Sequence, residues 1–264
     1  MANPLSEFAL ATGLPLPLVV GVVAAMLLAV RYAVIAGGAL GLVTMFANAL
    51  APLRIQKIPF SSAQLWREIG YSMLTVVIFG IMAAAIVWLT GGLLNPTVPS
   101  TTAEWLWAGF MVPVALLLHD FYFYWMHRAV HLPKIYPLVH RVHHLSTNPS
   151  ALSAFAFHPL EAILEAAGVI AIIAVLPMPA PSLIAFGLLA FVFNVMGHLG
   201  YELAPKSFLV SSVGCWLNSA TSHNTHHRKF RVNYGLYTLI WDRLFGTIDA
   251  KFEAEIMRAP AKHI

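Results

Sequence analysis

Long apolar runs, almost free of charged side chains, are the feature that most restricts what this chain can fold into. Of its 264 residues, 59% are hydrophobic and only 10% are charged, against about 25% charged in a typical soluble domain. A helix of about 20 apolar residues crosses the roughly 30 Å hydrocarbon core of a bilayer. The sequence therefore predicts an integral membrane protein, and it excludes a disordered chain or a disulfide-stapled secreted module.

Five apolar segments predict an all-α fold with four to five transmembrane helices. The first, residues 18–50, would reach roughly 50 Å at about 1.5 Å per residue. We expect it to form one long tilted helix, with a break at Arg31 and a re-entrant piece as the alternative. The other segments are residues 69–90, 104–126, 161–176 and 182–198. Prolines within 177–181 force a turn between the last two, because proline blocks the continuation of a helix.

The basic residues predict the orientation of the chain in the membrane. All of the 15 Lys and Arg residues except Arg31 lie in segments 51–67, 127–160 and 199–264. Cytoplasmic connections are enriched in Lys and Arg, so we expect these three segments on the cytoplasmic side. The histidines fall on the same face of the membrane.

Histidine is the unusual residue of this sequence, because all 12 copies lie at or after His119. Most belong to one HxxxH and two HxxHH patterns: His127 and His131; His140, His143 and His144; His223, His226 and His227. Residues three or four apart share one side of a helix, so each pattern can direct two or three imidazoles toward one metal region. Imidazole suits iron, zinc, copper and nickel, and this many candidate ligands predict two metal ions rather than one.

Other readings of these histidines carry less weight. A single histidine in a membrane protein is more often a packed core residue than a ligand, but three patterns on one side of a membrane argue against coincidence. The single cysteine, Cys215, excludes a thiolate metal cage, and no HExxH zinc-protease motif is present. No basic block with interleaved aromatics supports nucleic-acid binding. A non-enzymatic membrane protein that binds or transports metal is the alternative function.

The histidine patterns resemble those of the fatty acid hydroxylase and sterol desaturase superfamily, whose members are membrane di-iron enzymes. The similar text runs from about residue 119 to 247, in segments 119–131, 140–144, 154–161, 223–235 and 241–247. The combined pattern is specific for the superfamily and says little about the substrate. It implies a base of transmembrane helices in residues 1–103, a catalytic region in 104–250 and a C-terminal tail in 251–264, which holds His263. It also implies that a cytosolic histidine-rich helical cap on this base carries the two metals.

The resemblance also implies a set of metal ligands. These are His127, His131, His140, His143, His144, His198, His223, His226 and His227. Some relatives carry a further histidine where this chain has Asn194, so that ligand is lost, replaced by the amide or bridged by water, and His158 is a candidate to compensate. His119 is expected beside the ligands rather than among them. Asp120 either accepts a hydrogen bond from a ligand imidazole or pairs with Arg128.

The resemblance implies a reaction in which O2 and two electrons hydroxylate or desaturate a lipid. The lipid would be a sterol, a fatty acyl chain or a related isoprenoid. The expected cofactor is a pair of iron ions, with zinc as the ion that purified protein acquires in their place. A separate electron-donor protein is expected as a partner, since we find no haem or iron–sulfur carrier segment in the sequence.

Overall fold

A computed structural model of the chain describes residues 4–91, 96–252, 254 and 256; His263 lies outside them. The described residues are helical and contain two isolated β-bridges but no β-strand. In chain order the helices are α1 (Pro4–Thr12), α2 (Leu16–Tyr32), α3 (Gly38–Met45), α4 (Ala47–Leu50), α5 (Ser62–Thr90), α6 (Thr102–Val130), α7 (Tyr136–Val139), α8 (Arg141–His144), α9 (Pro159–Val175), α10 (Ala180–Gly197), α11 (Lys206–Leu209), α12 (Ala220–Lys229) and α13 (Ile240–Leu244).

Four helical segments of the described chain are long and apolar enough to cross a membrane. They are Leu16–Met45, Ser62–Thr90, Thr102–Val130 and Ala180–Gly197. The first is continuous, because α2 runs through a π-helical turn, Ala33–Gly37, directly into α3. The chain is therefore not broken at Arg31. The remaining apolar segment, residues 161–176, forms α9, which has 17 residues, one fewer than α10.

Local sequence signals set the ends of the helices that carry the histidines. Helix α6 begins at a capping box, in which Thr101 accepts from the Glu104 N–H and the Glu104 carboxylate accepts from the Thr101 N–H. Helix α9 begins at Pro159, with the His158 side chain accepting a hydrogen bond from the Leu160 N–H. The predicted proline turn lies between α9 and α10, where the described chain is non-helical from 176 to 179.

Helices α2 and α5 approach closely because two glycines face each other where they cross. A Cβ atom on Gly21 would lie 2.8 Å from the Gly80 carbonyl oxygen, and one on Gly80 would lie 2.7 Å from that of Gly21. Small residues at such a crossing let two backbones pack together, which stabilises helix association in lipid.

Residues 145–158 join α8 to α9, and most of this segment is buried against α2 and α5; we call it the buried connector. The Tyr32 hydroxyl and the Ser72 hydroxyl each donate to the Leu152 carbonyl at 3.0 Å. The fully buried Glu68 accepts hydrogen bonds from Ser146, at 2.7 Å, and from Ser150. Because the connector follows directly after His143 and His144, these bonds tie α8 to the membrane helices.

Candidate metal centre

The nine histidines that the sequence predicts as ligands come together in two adjoining groups. The five-histidine group contains His127, His131, His140, His144 and His226; the four-histidine group contains His143, His198, His223 and His227. Within each group, one nitrogen from every imidazole lies within 4.8 Å of the others. All nine residues except His131 are buried, which is unusual for so many polar side chains.

The two HxxHH patterns divide between the groups in opposite senses. On α12, His223 and His227 enter the four-histidine group, whereas His226 enters the five-histidine group. In the other pattern, His140 and His144 enter the five-histidine group and His143 the four-histidine group. In both cases the residues four apart stay together, because they lie above one another on a helix, and the third imidazole points elsewhere. Each pattern therefore supplies ligand atoms to both groups.

Hydrogen bonds at Nδ1 determine which nitrogen of several imidazoles faces inward. His127 donates to the Tyr234 carbonyl at 2.8 Å, His226 to the Val232 carbonyl at 2.7 Å, and His198 to the Asn194 carbonyl at 2.8 Å. A carbonyl oxygen can only accept, so the proton of these neutral rings is on Nδ1. Nε2 then presents a lone pair to the centre of the group.

The inward nitrogens have the spacing of ligand atoms around a common cation. The Nε2 atoms of His131, His144 and His226 form a triangle with 3.1 Å sides. The Nε2 atoms of His198, His223 and His227 form a second triangle, with sides of 3.0, 3.1 and 3.3 Å. Nitrogens bound to one metal at about 2.1 Å, at angles between octahedral and tetrahedral, lie roughly 3.0–3.4 Å apart. The donor set and its spacing therefore fit one transition-metal ion in each group.

Burial keeps these imidazoles neutral. Among the grouped histidines outside the membrane spans, burial lowers the pKa of every ring. In seven of them, repulsion from neighbouring imidazoles lowers the pKa further: His131, His140, His143, His144, His223, His226 and His227. Burial lowers the pKa of His198 to about 4. Metal binding requires neutral imidazole, so the site is ready to bind a cation at neutral pH.

Glu161 is a buried residue of the site that the sequence analysis did not single out. One of its carboxylate oxygens lies 2.6 Å from Nδ1 of His140. Glu161 belongs to the first turn of α9, and the residue is 1% exposed. A carboxylate in this position orients a ligand imidazole and raises its basicity. The available signal was an acidic residue three positions after a histidine that begins a helix.

Asp120 makes neither of the two contacts expected for it. Its carboxylate accepts from the backbone N–H of Leu236 and of Tyr237, at 3.1 and 2.7 Å, and from Trp241 Nε1 at 3.1 Å. Arg128 instead donates to the Tyr124 hydroxyl at 3.3 Å. Asp120 thus holds the loop of residues 230–239, which we call the carbonyl loop because it supplies the acceptors for His127 and His226.

Asp242 holds the same loop from its other side, and it too was missed from sequence. Its carboxylate accepts from the backbone N–H of Tyr234 and of Gly235, each at 2.8 Å. The Tyr234 carbonyl is the acceptor for His127, so Asp242 positions that ring through the backbone of Tyr234.

The remaining candidates lie outside both groups. Nδ1 of His119 is 2.7 Å from the Tyr237 hydroxyl. His158 is the N-cap of α9, so the structure does not bring it into the place of a missing ligand. The Asn194 side chain donates to the Ala154 carbonyl at 2.8 Å, and its contribution to the groups is the backbone carbonyl that orients His198.

A cavity of about 350 Å³ lies on the membrane side of the histidines, between α2, α5, α9 and α10; we call it the membrane cavity. Apolar side chains form most of its wall. Phe157 and Asn194 line the end nearest the four-histidine group. The Phe157 ring lies 5.3 Å from that of His143, and Asn194 bonds His198. The cavity therefore ends beside the four-histidine group, at residues that contact His143 and His198.

Comparison with known proteins gives a consistent result. Residues 112–247 match the sequence model of the fatty acid hydroxylase family, described as "Fatty acid hydroxylase". The chain is 28% identical over 193 residues to a probable Delta(7)-sterol 5(6)-desaturase of Neurospora crassa, covering 71% of this chain and 53% of that protein. No solved structure matches the chain significantly.

Two further relatives carry other names. The chain is 29% identical over 143 residues to lathosterol oxidase of Mus musculus, covering 53% of this chain and 46% of that protein. It is 33% identical over 156 residues to the very-long-chain aldehyde decarbonylase CER1 of Arabidopsis thaliana, covering 54% of this chain and 24% of that protein. The chain thus spans about half or less of the length of these curated relatives.

The lowered pKa values predict that metal-free protein loses stability as the pH falls. Below about pH 6.5 the unfolded chain takes up protons on histidines that the folded chain keeps neutral, so each such histidine costs about 1.4 kcal/mol of unfolding free energy per pH unit. We expect the melting temperature of chelator-treated protein in detergent to fall steeply from pH 7.5 to 5.5. A melting temperature that is constant or rises over this range would contradict the prediction.

The contact between Glu161 and His140 predicts a specific loss of metal affinity. Glu161→Ala leaves the imidazole without its acceptor and should lower affinity about 10- to 100-fold, measured by competition with a chelator. Glu161→Gln keeps an acceptor oxygen and should lose less. Glu104→Ala is the matched control, because Glu104 lies in the first turn of α6, at the end of that helix away from His127. This variant should bind metal like the wild type. Equal affinity in Glu161→Ala and the control would refute this role.

Proposed function

Because the chain belongs to the fatty acid hydroxylase family, we propose that it is a membrane oxidoreductase that uses O2 to hydroxylate or desaturate a lipid. The observation that carries the proposal is the position of the nine imidazoles. They converge at the end of an apolar cavity between membrane helices, where a lipid and a redox metal can meet. The relatives include a probable sterol desaturase and lathosterol oxidase, which supports oxidation of a lipid and leaves the type of reaction open.

We propose that the five- and four-histidine groups hold one iron ion each. Iron in such a site supplies the redox chemistry that activates O2 toward an unactivated carbon–hydrogen bond, which zinc cannot do. The affinity order of divalent ions favours zinc over ferrous iron at nitrogen sites, so zinc in purified protein is expected to bind without supporting turnover.

The protein's own contribution is orientation and the exclusion of water. The carbonyls of Tyr234, Val232 and Asn194 keep three rings in the tautomer that presents Nε2. The Glu161 carboxylate accepts a hydrogen bond from the Nδ1–H of His140 and would stabilise the partial positive charge on this ring when it binds a metal. The apolar wall of the membrane cavity keeps the substrate's hydrocarbon out of water. Both the N-terminal helices and the proposed catalytic region 104–250 contribute residues to that wall.

The electrons come, in this proposal, from a separate donor protein at the cytoplasmic face. The Lys and Arg residues of segments 51–67, 127–160 and 199–264 support this orientation, because cytoplasmic connections are enriched in these residues. The β-bridge between Arg54 and Tyr201 brings the first and third of these segments together, which supports their lying on one face.

Lipid oxidation is testable in cells that express the chain with an electron donor. Mass spectrometry should detect a lipid that gains one oxygen or loses two hydrogens. His226→Ala removes an imidazole that contacts both His131 and His144, so product should vanish while the protein still inserts into the membrane. His158→Ala is the control and should retain activity. Wild-type product formation by His226→Ala would contradict the proposal, and metal uptake into cells without any lipid product would favour the transport alternative.

The proposed orientation can be tested by labelling single cysteines. Thr97 and Lys134 are exposed and lie near opposite ends of α6. In a Cys215→Ala background, Lys134→Cys should react only from the cytoplasmic side and Thr97→Cys only from the other side. Reaction of both from one side would refute this topology.

A further inference from the structure

Besides Tyr237, three ionisable side chains line the membrane cavity, although the rest of its wall is almost entirely apolar. They are Arg31 of α2, His119 of α6 and Glu165 of α9. Ionisable groups inside a membrane protein are costly unless they pair with one another or bind a ligand. The partners that each of the three has within the protein therefore indicate what the cavity holds.

The described residues leave hydrogen-bonding capacity unused on all three side chains. Glu165 is 8% exposed, and its carboxyl group makes no hydrogen bond or ion pair with any other described residue. His119 is 4% exposed, and its Nε2 has no partner there while Nδ1 bonds the Tyr237 hydroxyl. Arg31 donates to the Gly187 carbonyl at 2.9 Å, but its Nε has no partner within the described part of the chain.

Arg31 and Glu165 lie toward the histidine end of the cavity, and the Tyr237 hydroxyl, which bonds His119, lies near both of them. The Arg31 guanidinium lies 4.7 Å from the centre of the Phe191 ring and 5.4 Å from that of Phe155, two residues before Phe157. Glu165 lies in the first half of α9, close in sequence to Glu161, which contacts His140. The far end is lined by residues such as Ile173, and by Thr90, whose hydroxyl bonds its own helix at the Ile86 carbonyl.

We propose that Arg31, His119 and Glu165 form a binding subsite for a lipid hydroxyl group, which points toward the histidines while the hydrocarbon extends to the far end of the cavity. A hydroxyl both donates and accepts, and the subsite offers a carboxyl acceptor beside nitrogen donors. A carboxylate or phosphate headgroup only accepts hydrogen bonds and an ammonium headgroup only donates them, so none of these groups pairs with both the carboxyl acceptor and the nitrogen donors. The inference deepens the proposed function, on which it rests for its substrate class: the substrate is an alcohol.

The subsite also predicts where the lipid is oxidised. With the hydroxyl held at the histidine end, the carbons nearest the histidine groups are those a few bonds from the hydroxyl. Oxidation should therefore occur close to the hydroxyl-bearing carbon and not at the distal end of the hydrocarbon.

The test measures lipid binding by metal-loaded protein without an electron donor, so it does not depend on turnover. Two matched pairs serve as probes: cholesterol with 5-cholestene, and 1-octadecanol with octadecane, each alcohol beside the hydrocarbon that lacks its hydroxyl. Wild-type protein in nanodiscs should prefer an alcohol over its hydrocarbon at least about tenfold, because the unpaired groups gain a partner only from the alcohol. The pair with the larger preference distinguishes a sterol from a linear alcohol.

Variants assign the preference to the subsite. Glu165→Leu and His119→Phe should reduce the preference several-fold while hydrocarbon binding is kept, and Glu165→Gln should retain part of it. Thr90→Val, at the far end of the same cavity, is the control and should behave like the wild type. Metal content identifies any variant that has lost its fold, and Glu165→Gln then serves in place of Glu165→Leu.

Equal binding of alcohols and hydrocarbons by the wild type would overturn the proposal, as would an undiminished preference in Glu165→Leu and His119→Phe. A clear alcohol preference in a protein that forms no oxidised lipid would uphold the subsite and refute the proposed function instead.

Discussion

The arrangement of the site depends on one interaction, the hydrogen bond from a histidine Nδ1 to a backbone carbonyl. The bonds from His127 to Tyr234 and from His226 to Val232 place a proton on the outer nitrogen of each ring. The inner nitrogens of His127 and His226 then lie 3.1 Å from Nε2 of His140 and of His131, a spacing that suits nitrogen ligands of one cation. The rings are therefore oriented by the protein's own hydrogen bonds, and the loop and helices that provide these bonds are held in turn by contacts elsewhere in the protein.

Those bonds come from two buried networks on opposite sides of the histidines. Asp120 and Asp242 hold the carbonyl loop, and through it the rings of α6 and α12. Glu68 holds the buried connector through Ser146 and Ser150, and through it α8. Acceptors with this many N–H and O–H partners are satisfied without a counter-cation, which explains how carboxylates persist in the interior of a membrane protein. Both networks attach the histidines to long helices, which are the most rigid elements available.

Much of the architecture could be predicted from sequence because apolar length and histidine spacing are local properties. The helical spans, the proline turn before α10 and the membership of the fatty acid hydroxylase family were all predicted correctly. The division of each HxxHH pattern between two groups could not, since it depends on how α8 faces α12. Nor could the acceptors Tyr234 and Val232, because every residue has a carbonyl and only the fold decides which one meets an imidazole. Asp120 was misread for a related reason: its partners lie more than a hundred residues away.

The central claim is that each histidine group holds one metal ion. Its most direct test is elemental analysis of protein purified from iron-supplemented cells, with the polypeptide quantified independently. The account predicts two transition-metal ions per wild-type chain. In a His198→Ala, His227→Ala double variant, which dismantles the four-histidine group, it predicts one. Zero or one ion in folded, fully active wild-type protein, or two ions in the double variant, would contradict it.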